Sequence, residues 1–306
     1  MEPNPLKKLQ ELAQKAREEG TVNQSSADIF RRKTEQQEST VVSLEEAEKI
    51  FGKDFLGPKA VEVAFGIPVS EEHVVPIPFS RQELENAKAL GQQLIFQAEV
   101  MKISDGPMGS EFGAITPKNL KTVFPTASDG NPMWYDQSWY NDEKFFSEKT
   151  PPPCWKLTNK DVIPNSTSKN YLEQTEVIVS YLKNEVFKGV DLPKEYVEAI
   201  EEFENRKELI ATVLKEDWKD AAGLLEQLKI THLTRETPVE AMYRLVLQDR
   251  TNKEKLLSSK YTWTSRRDSD GDLVFVGSFV SRGANVHDAE PGRSYSLLGV
   301  SVSRMK

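Results

Sequence analysis

Apolar residues recur along this chain with two different periods, and the change from one to the other marks its elements. Ser43 followed by Glu46 is a capping-box pattern and predicts a helix running through Ile50, and Pro58 to Phe65 predicts a second short one. Ser80 with Glu83 caps a third, carrying Leu84, Ala87, Leu90 and Leu94 at helical spacing. Gln93 to Ile103 predicts a strand, followed by a Gly/Pro-rich hairpin or loop and a capped helix after Thr116. Further along, Trp155 to Ile163 predicts a strand. Tyr171 to Phe187 predicts an amphipathic helix with Leu172, Val177, Ile178, Tyr181, Leu182 and Val186 inward. Helical patterns also cover Pro193 to Leu214, Trp218 to Leu228 and Pro238 to Asp249, the last with its proline where a missing N–H costs nothing.

From Tyr261 the pattern becomes that of strands. Thr262, Trp263 and Thr264 favour extended backbone, Asp268 to Gly271 is a turn cluster, and Leu273 to Phe279 places apolar residues at Leu273, Phe275 and Phe279 with Val274 and Val276 between. A second turn at Arg282 and Gly283 leads to Val286, and an irregular stretch from Asp288 to Ser296 precedes the closing GVSVSR. There Val300 and Val302 alternate with Ser301 and Ser303, which predicts a strand with one buried face.

Composition narrows the function classes. With 306 residues, 38% hydrophobic and 29% charged, the chain can build one large or two ordinary domains. Residues 1–42 are polar and predict a flexible arm with a short helix over Leu6 to Glu19; 43–126 predict a small α/β domain, and 127–306 a second domain. A net charge of −8 without a Lys/Arg stripe argues against nucleic acid as a partner. No apolar run is long enough to span a membrane and the N-terminus lacks the apolar core of a secretory signal, so a cytoplasmic location is expected. Cys154 is the single cysteine, which excludes an internal disulfide, and the histidines at 73, 232 and 287 lack a zinc spacing.

Candidate chemistry is sparse. The aromatics Trp134, Tyr135, Trp139, Tyr140, Phe145 and Phe146 fit either a loop packed on the core or a stacking surface for a sugar or peptide. Asp268, Asp270 and Asp272 suggest calcium, but the sixth and twelfth positions counted from Asp268 are Leu273 and Phe279, where an EF-hand needs Gly and Glu, so an Asp-Gly turn is expected and no metal. The sequon at Asn165 to Thr167 reads as a turn at a helix entry, and the Glu-rich helix from Lys194 to Glu208 as a solvated face. His287 beside Asp288 and Glu290 has no accompanying nucleophile pattern, and no phosphate loop or dinucleotide fingerprint occurs, so no cofactor is expected.

One resemblance adds to this. LTRETPVEAMYRLV, from Leu233 to Val246, resembles the RLPTEAEWEYA segment of the formylglycine-generating-enzyme type of C-type-lectin fold. TWTS at Thr262 to Ser265 and GVSVSR at Gly299 to Arg304 resemble the Trp-Thr-Ser and closing strands of that superfamily, in the same order. The pattern Y-x-W-T-S-x-R-D-S-D-G-x-L-V-x-V-G-x-F is similar to that of a family of uncharacterised proteins of candidate-phylum bacteria, and to variable proteins diversified by retroelements. The resemblance implies an α+β chain whose second domain is C-type-lectin-like. That domain would have a helical insertion over about 170–250 and a display region over 261–304, and its end would lie beside the Trp155 strand. It implies a non-enzymatic binding protein with a protein ligand. The implied contacts are Phe275, Ser278, Val280, Arg282, Asn285, His287, Asp288, Ala289, Arg293, Tyr295, Ser296 and Leu297. Trp263, Gly271, Gly277, Gly283 and Gly299 would be the framework, with Gly292 a further turn and Leu273, Val274, Val286 and Val300 in the core. The formylglycine-generating enzymes depend on cysteines near the C-terminus, which this chain lacks. The alternatives are an enzyme or degenerate enzyme of that type, with Cys154 or His287 reactive, and a scaffold that recruits partners through its arm.

Overall fold

The computed structural model describes residues 41–106 and 109–306, so residues 1–40 of the arm expected over 1–42 lie outside the described residues, while Val42 is buried in the core. The chain is a mixed α+β protein. Helix α1 (Leu44–Phe51) starts where Ser43 Oγ accepts from Glu46 N at 3.2 Å and Glu46 returns the bond, the reciprocal cap the spacing predicts. Strand β1 (Phe55–Leu56) and α2 (Pro58–Phe65) follow, and Ser80 and Glu83 cap α3 (Arg81–Ala89) in the same way. Gly91, at φ +69°, then turns the chain into β2 (Gln92–Gln97), so Leu94 belongs to a strand and not to the helix its spacing suggests.

The strand expected over 93–103 is two. Tyr243 Oη donates to Phe96 O and accepts from Ala98 N, so a buried side chain meets the backbone groups where β2 ends. The chain leaves to form the hairpin β3 (Val100–Gly106) and β4 (Gly109–Ala114), a sheet of its own. Helix α4 (Pro117–Val123), capped by Thr116, leads into the aromatic segment and β5 (Cys154–Asn159). Next come α5 (Tyr171–Tyr181), α6 (Lys194–Glu216), α7 (Trp218–Glu226), a short α8 (Lys229–Thr234) that the pattern does not predict, and α9 (Pro238–Asn252). The helix expected to Phe187 widens into a π-turn over Leu182–Val186.

The C-terminal strands are β6 (Tyr261–Arg267), β7 (Leu273–Val280), β8 (Gly283–Ala289), β9 (Leu298–Gly299) and β10 (Ser303–Met305). One sheet has the order β8-β7-β6-β9 and another β1-β2-β5-β10, so the closing segment divides between two sheets. Its serines are buried with its valines: Ser301 donates its Oγ to Asp161 O, and Ser303 Oγ lies 2.7 Å from Thr158 Oγ1. One buried face is therefore corrected to two. The boundary drawn at 126 falls between strands that share a sheet, since β2 pairs with β5 in antiparallel register from Gln92–Asn159 to Gln97–Cys154.

Two apolar cores flank the C-terminal sheet. Val274, Val276 and Val286 face the one built with α9 and the N-terminal helices, while Trp263, Leu273 and Phe275 face the one built with α5, α6 and α7. Buried polar pairs anchor α9: Arg244 holds Glu236 at the helix entry at 2.8 Å with both side chains buried, and Glu240 pairs with Lys156 of β5. Burial presses the Glu240 carboxyl up, but Lys156 and the cap bonds to Thr237 outweigh it and hold the group below its ordinary value. Among the described residues no helix is long and apolar enough to cross a membrane.

The aromatic segment covers part of the outer edge of β8. Tyr135 N donates to Ala284 O, Ala284 N donates to Met133 O, and Trp139 Nε1 donates to Val286 O at 3.2 Å. Tyr140, Phe145 and Phe146 are buried behind it, in keeping with the core-packing alternative for these rings.

Candidate ligand-binding face

The frame around β6, β7 and β8 is fixed by close approaches that only glycine allows. Gly277, at φ +152°, would place a Cβ 2.3 Å from Lys260 O, and Gly283, at φ +99°, would place one 2.3 Å from the carbonyl carbon of Trp134. Gly299 sits against Ser166 and Val162, Gly271 closes the β6–β7 turn, and Gly292 has open space around it apart from Leu214. Trp263, Leu273, Val274, Val286 and Val300 are all buried.

Residues on this frame differ in what they can reach. Phe275, expected as a contact, is a core residue with 7% of its surface exposed. It meets Trp263 and Tyr261 edge-on and stacks on His287 at 5.2, 5.2 and 5.4 Å respectively. The β6–β7 pairing sets Trp263 opposite Phe275 and turns both rings inward. Ser278 and Val280 are half-buried at the bulge after Gly277, Ser278 holding φ +47° and donating its N–H to Lys260 O. Arg282 is exposed at the β7–β8 turn, its guanidinium 5.4 Å from the centre of the Tyr135 ring. Asn285, Asp288 and Ala289 are half-buried on β8 and His287 is exposed.

Residues 290–297 then cross back from the end of β8 to β9, on the opposite edge of the sheet. Their backbone is tied down at intervals. Pro291 O accepts from Tyr171 N, Tyr295 O from Ser168 N, and Leu297 O from Tyr261 N. The side chains are not: Arg293, Tyr295, Ser296 and Leu297 are exposed, with Tyr295 at 48% and Leu297 at 49%. Among the described residues Arg293 pairs with Glu290, at 3.2 Å on the surface.

At the far end of β8 the carboxylates of Asp268, Asp272 and Asp288 lie within 4.8 Å of one another, close enough for a shared proton or a hard cation. The alternate-residue spacing points to Asp270, but the third member comes from β8, because Val274 of β7 pairs with Asp288. Asp268 Oδ1 accepts N–H bonds from Asp270, Gly271 and Asp272 at 2.8–2.9 Å, the Asp-Gly turn of the sequence. Burial, and then the hydrogen bond with Asp288, push the Asp268 carboxyl up to about 7. Burial and the neighbouring Asp288 raise Asp272 as well, while the His287 bond holds Asp288 low and raises His287 in turn. Comparison with family models, curated proteins and solved structures finds no match to this chain.

Two further participants in this face are Tyr135, one of the aromatics that fit a stacking surface, and Tyr261, which the sequence patterns give no role at a site. Tyr135 underlies Arg282, and Tyr261 Oη lies 3.5 Å from Asn285 Nδ2; both are set by contacts across the chain that local spacing does not encode. Cys154 lies away from the face, at the end of β5 paired with Gln97. Burial pushes its thiol up, with Lys156 opposing.

Proposed function

We propose that this is a non-enzymatic ligand-binding protein whose C-terminal unit is C-type-lectin-like, presenting side chains of β8 and the 290–297 crossing to a protein ligand. The observation that carries the reading is the separation of roles in that crossing: backbone bonds at Pro291, Tyr295 and Leu297 hold its course, while Arg293, Tyr295, Ser296 and Leu297 are left exposed. Such side chains can change identity without disturbing the fold, as a diversified surface requires. Tyr295, large and with few rotamers, and Arg282, over the Tyr135 ring, would supply most of the affinity, with Leu297 and His287 around them. The return of β10 beside β5 accords with the lectin-like plan. An enzymatic role for Cys154 finds less support, because a thiol raised by burial is a poor nucleophile at neutral pH.

Sequencing the 261–304 coding segment in close relatives, with the adjoining DNA, tests this. Substitutions are expected to gather at the exposed positions 282, 287, 293 and 295–297 and to spare Gly277, Gly283 and Trp263. An even spread of substitutions, or invariance at Arg282, His287 and Arg293, would overturn the display reading.

A further inference from the structure

A cleft of about 860 Å³ opens between the β6–β7 turn, α7 and residues 143–148, within the roughly 300–1,000 Å³ typical of small-molecule sites. Both signs of charge line it: Lys144, Lys219, Arg266 and Arg267 against Glu143, Glu148, Glu226, Asp268 and Asp270. What separates them is which groups are already engaged. Glu143 accepts from both the N–H and the hydroxyl of Ser269, at 2.8 and 2.7 Å. Glu148 takes Arg266 Nε and Nη2, and Asp268 Oδ1 takes the backbone of its own turn. Glu226 accepts from Arg267 Nε at 2.9 Å.

The donors keep more in reserve. Among the described residues Arg267 donates only Nε, to Glu226, leaving both terminal nitrogens, and Arg266 Nη1 has no better acceptor than Ser265 O at 3.5 Å. Lys144 and Lys219 make no ion pair among the described residues; the Lys219 ammonium lies 5.3 Å from the centre of the Trp218 ring. Among the lining carboxylates Asp270 alone has neither oxygen in use. The unspent hydrogen-bonding capacity of the cleft therefore belongs mainly to guanidinium and ammonium N–H groups. Both terminal nitrogens of Arg267, Nη1 of Arg266 and two ammonium groups suit an oxyanion, which accepts from a guanidinium edge and from point charges together.

We propose that this cleft is a binding site for a small molecule carrying a phosphate or carboxylate group, held by Arg267, Arg266, Lys219 and Lys144. The site adjoins the display face at Asp268, which lines the cleft and meets Asp288 of β8, but the proposal does not rest on that reading. Glu148 and Glu226 act as positioning residues: each fixes one guanidinium while leaving part of its donor edge unengaged.

Calorimetric titration of the full chain with inorganic phosphate, and separately with citrate, at ionic strength held constant with chloride, tests the proposal. Saturable binding of either anion is expected, and which one binds identifies the preferred group. Arg267→Gln and Lys219→Gln should each weaken it about tenfold, the loss of one charge-assisted bond. Asp270→Asn should tighten it by removing the unengaged like charge. Unchanged thermal midpoints of the unliganded surface variants Lys219→Gln and Asp270→Asn would keep a binding loss from being a folding loss. No heat beyond that of chloride, or affinity indifferent to both cation variants, would overturn the site. So would calcium binding that Asp270→Asn abolishes, since the cleft would then be a cation site.

Discussion

At Gly277 and Gly283 a single added carbon collides with backbone, not with a side chain that can swing aside. The neighbouring atoms are Lys260 O and the Trp134 carbonyl carbon, each 2.3 Å from an added Cβ, and both glycines hold positive φ. Gly130 also holds positive φ, at +84°, but has nothing within 4 Å. Alanine at either of the first two is expected to cost about 3 kcal/mol or more, and at Gly130 about 1 kcal/mol, when urea unfolding midpoints are compared. Equal losses at all three would show that conformation and not contact sets the cost. Such glycines are legible in the sequence, where they punctuate alternating aliphatics, although Gly277 lies within β7 and not in a turn. The depth of Phe275 is not: a strand pattern gives alternation, but which face of an edge-proximal strand is covered depends on Trp263 and Tyr261 in the paired strand.

Helix starts are the elements the sequence states most openly, because a capping box is a local bargain between a side chain and the backbone three residues away. Ser43, Ser80 and Thr116 all mark real N-termini. Strand partners are the least open, since β2 meets β5 across more than fifty residues and β10 meets β5 across more than a hundred and forty. The β6–β7 turn and β8 show what this hides. Their junction is the carboxyl contact of Asp268 with Asp288, beside Asp272. The other charged groups facing it are His287 and Glu290 at the end of β8, Asp270 in the turn and Lys219 of α7. Asp268 titrates near 7 when folded and near 4 when unfolded, so the folded state binds the extra proton. The stability this contributes is full below about pH 4 and disappears as pH rises through about 7. The raised His287 adds a loss in the same direction, above its ordinary value near 6.5. Asp288, held low, acts oppositely, but only on acidification. Thermal midpoints are therefore expected to fall between pH 5 and pH 8. In Asp268→Asn, which keeps the Oδ1 acceptor of the turn, the slope should flatten. An identical slope in that variant would show that the junction does not govern it.

For the molecule as a whole, the last residues close a sheet that begins near the start of the described chain. β10 pairs with β5, β5 with β2 and β2 with β1, while Arg304 is buried with its guanidinium 5.2 Å from the Phe187 ring. Removing residues 301–306 is expected to abolish cooperative unfolding, seen as loss of a sigmoidal thermal transition by circular dichroism, and not merely to fray an end. A truncated chain that melts sharply at an unchanged temperature would contradict this. The sequence conveys that a strand closes the chain, but not that it divides between two sheets, because the alternation of Val and Ser fits one half-buried strand equally well.

The cover that Met133, Tyr135 and Trp139 lay over the outer edge of β8 has a consequence beyond packing. An uncovered strand edge is a template on which another chain can pair, and a sheet rich in Val and Phe is a poor place to leave one open. By engaging Ala284 and Val286, this aromatic segment denies that template to a second molecule, so the proposed display face can vary beside a guarded edge without inviting aggregation.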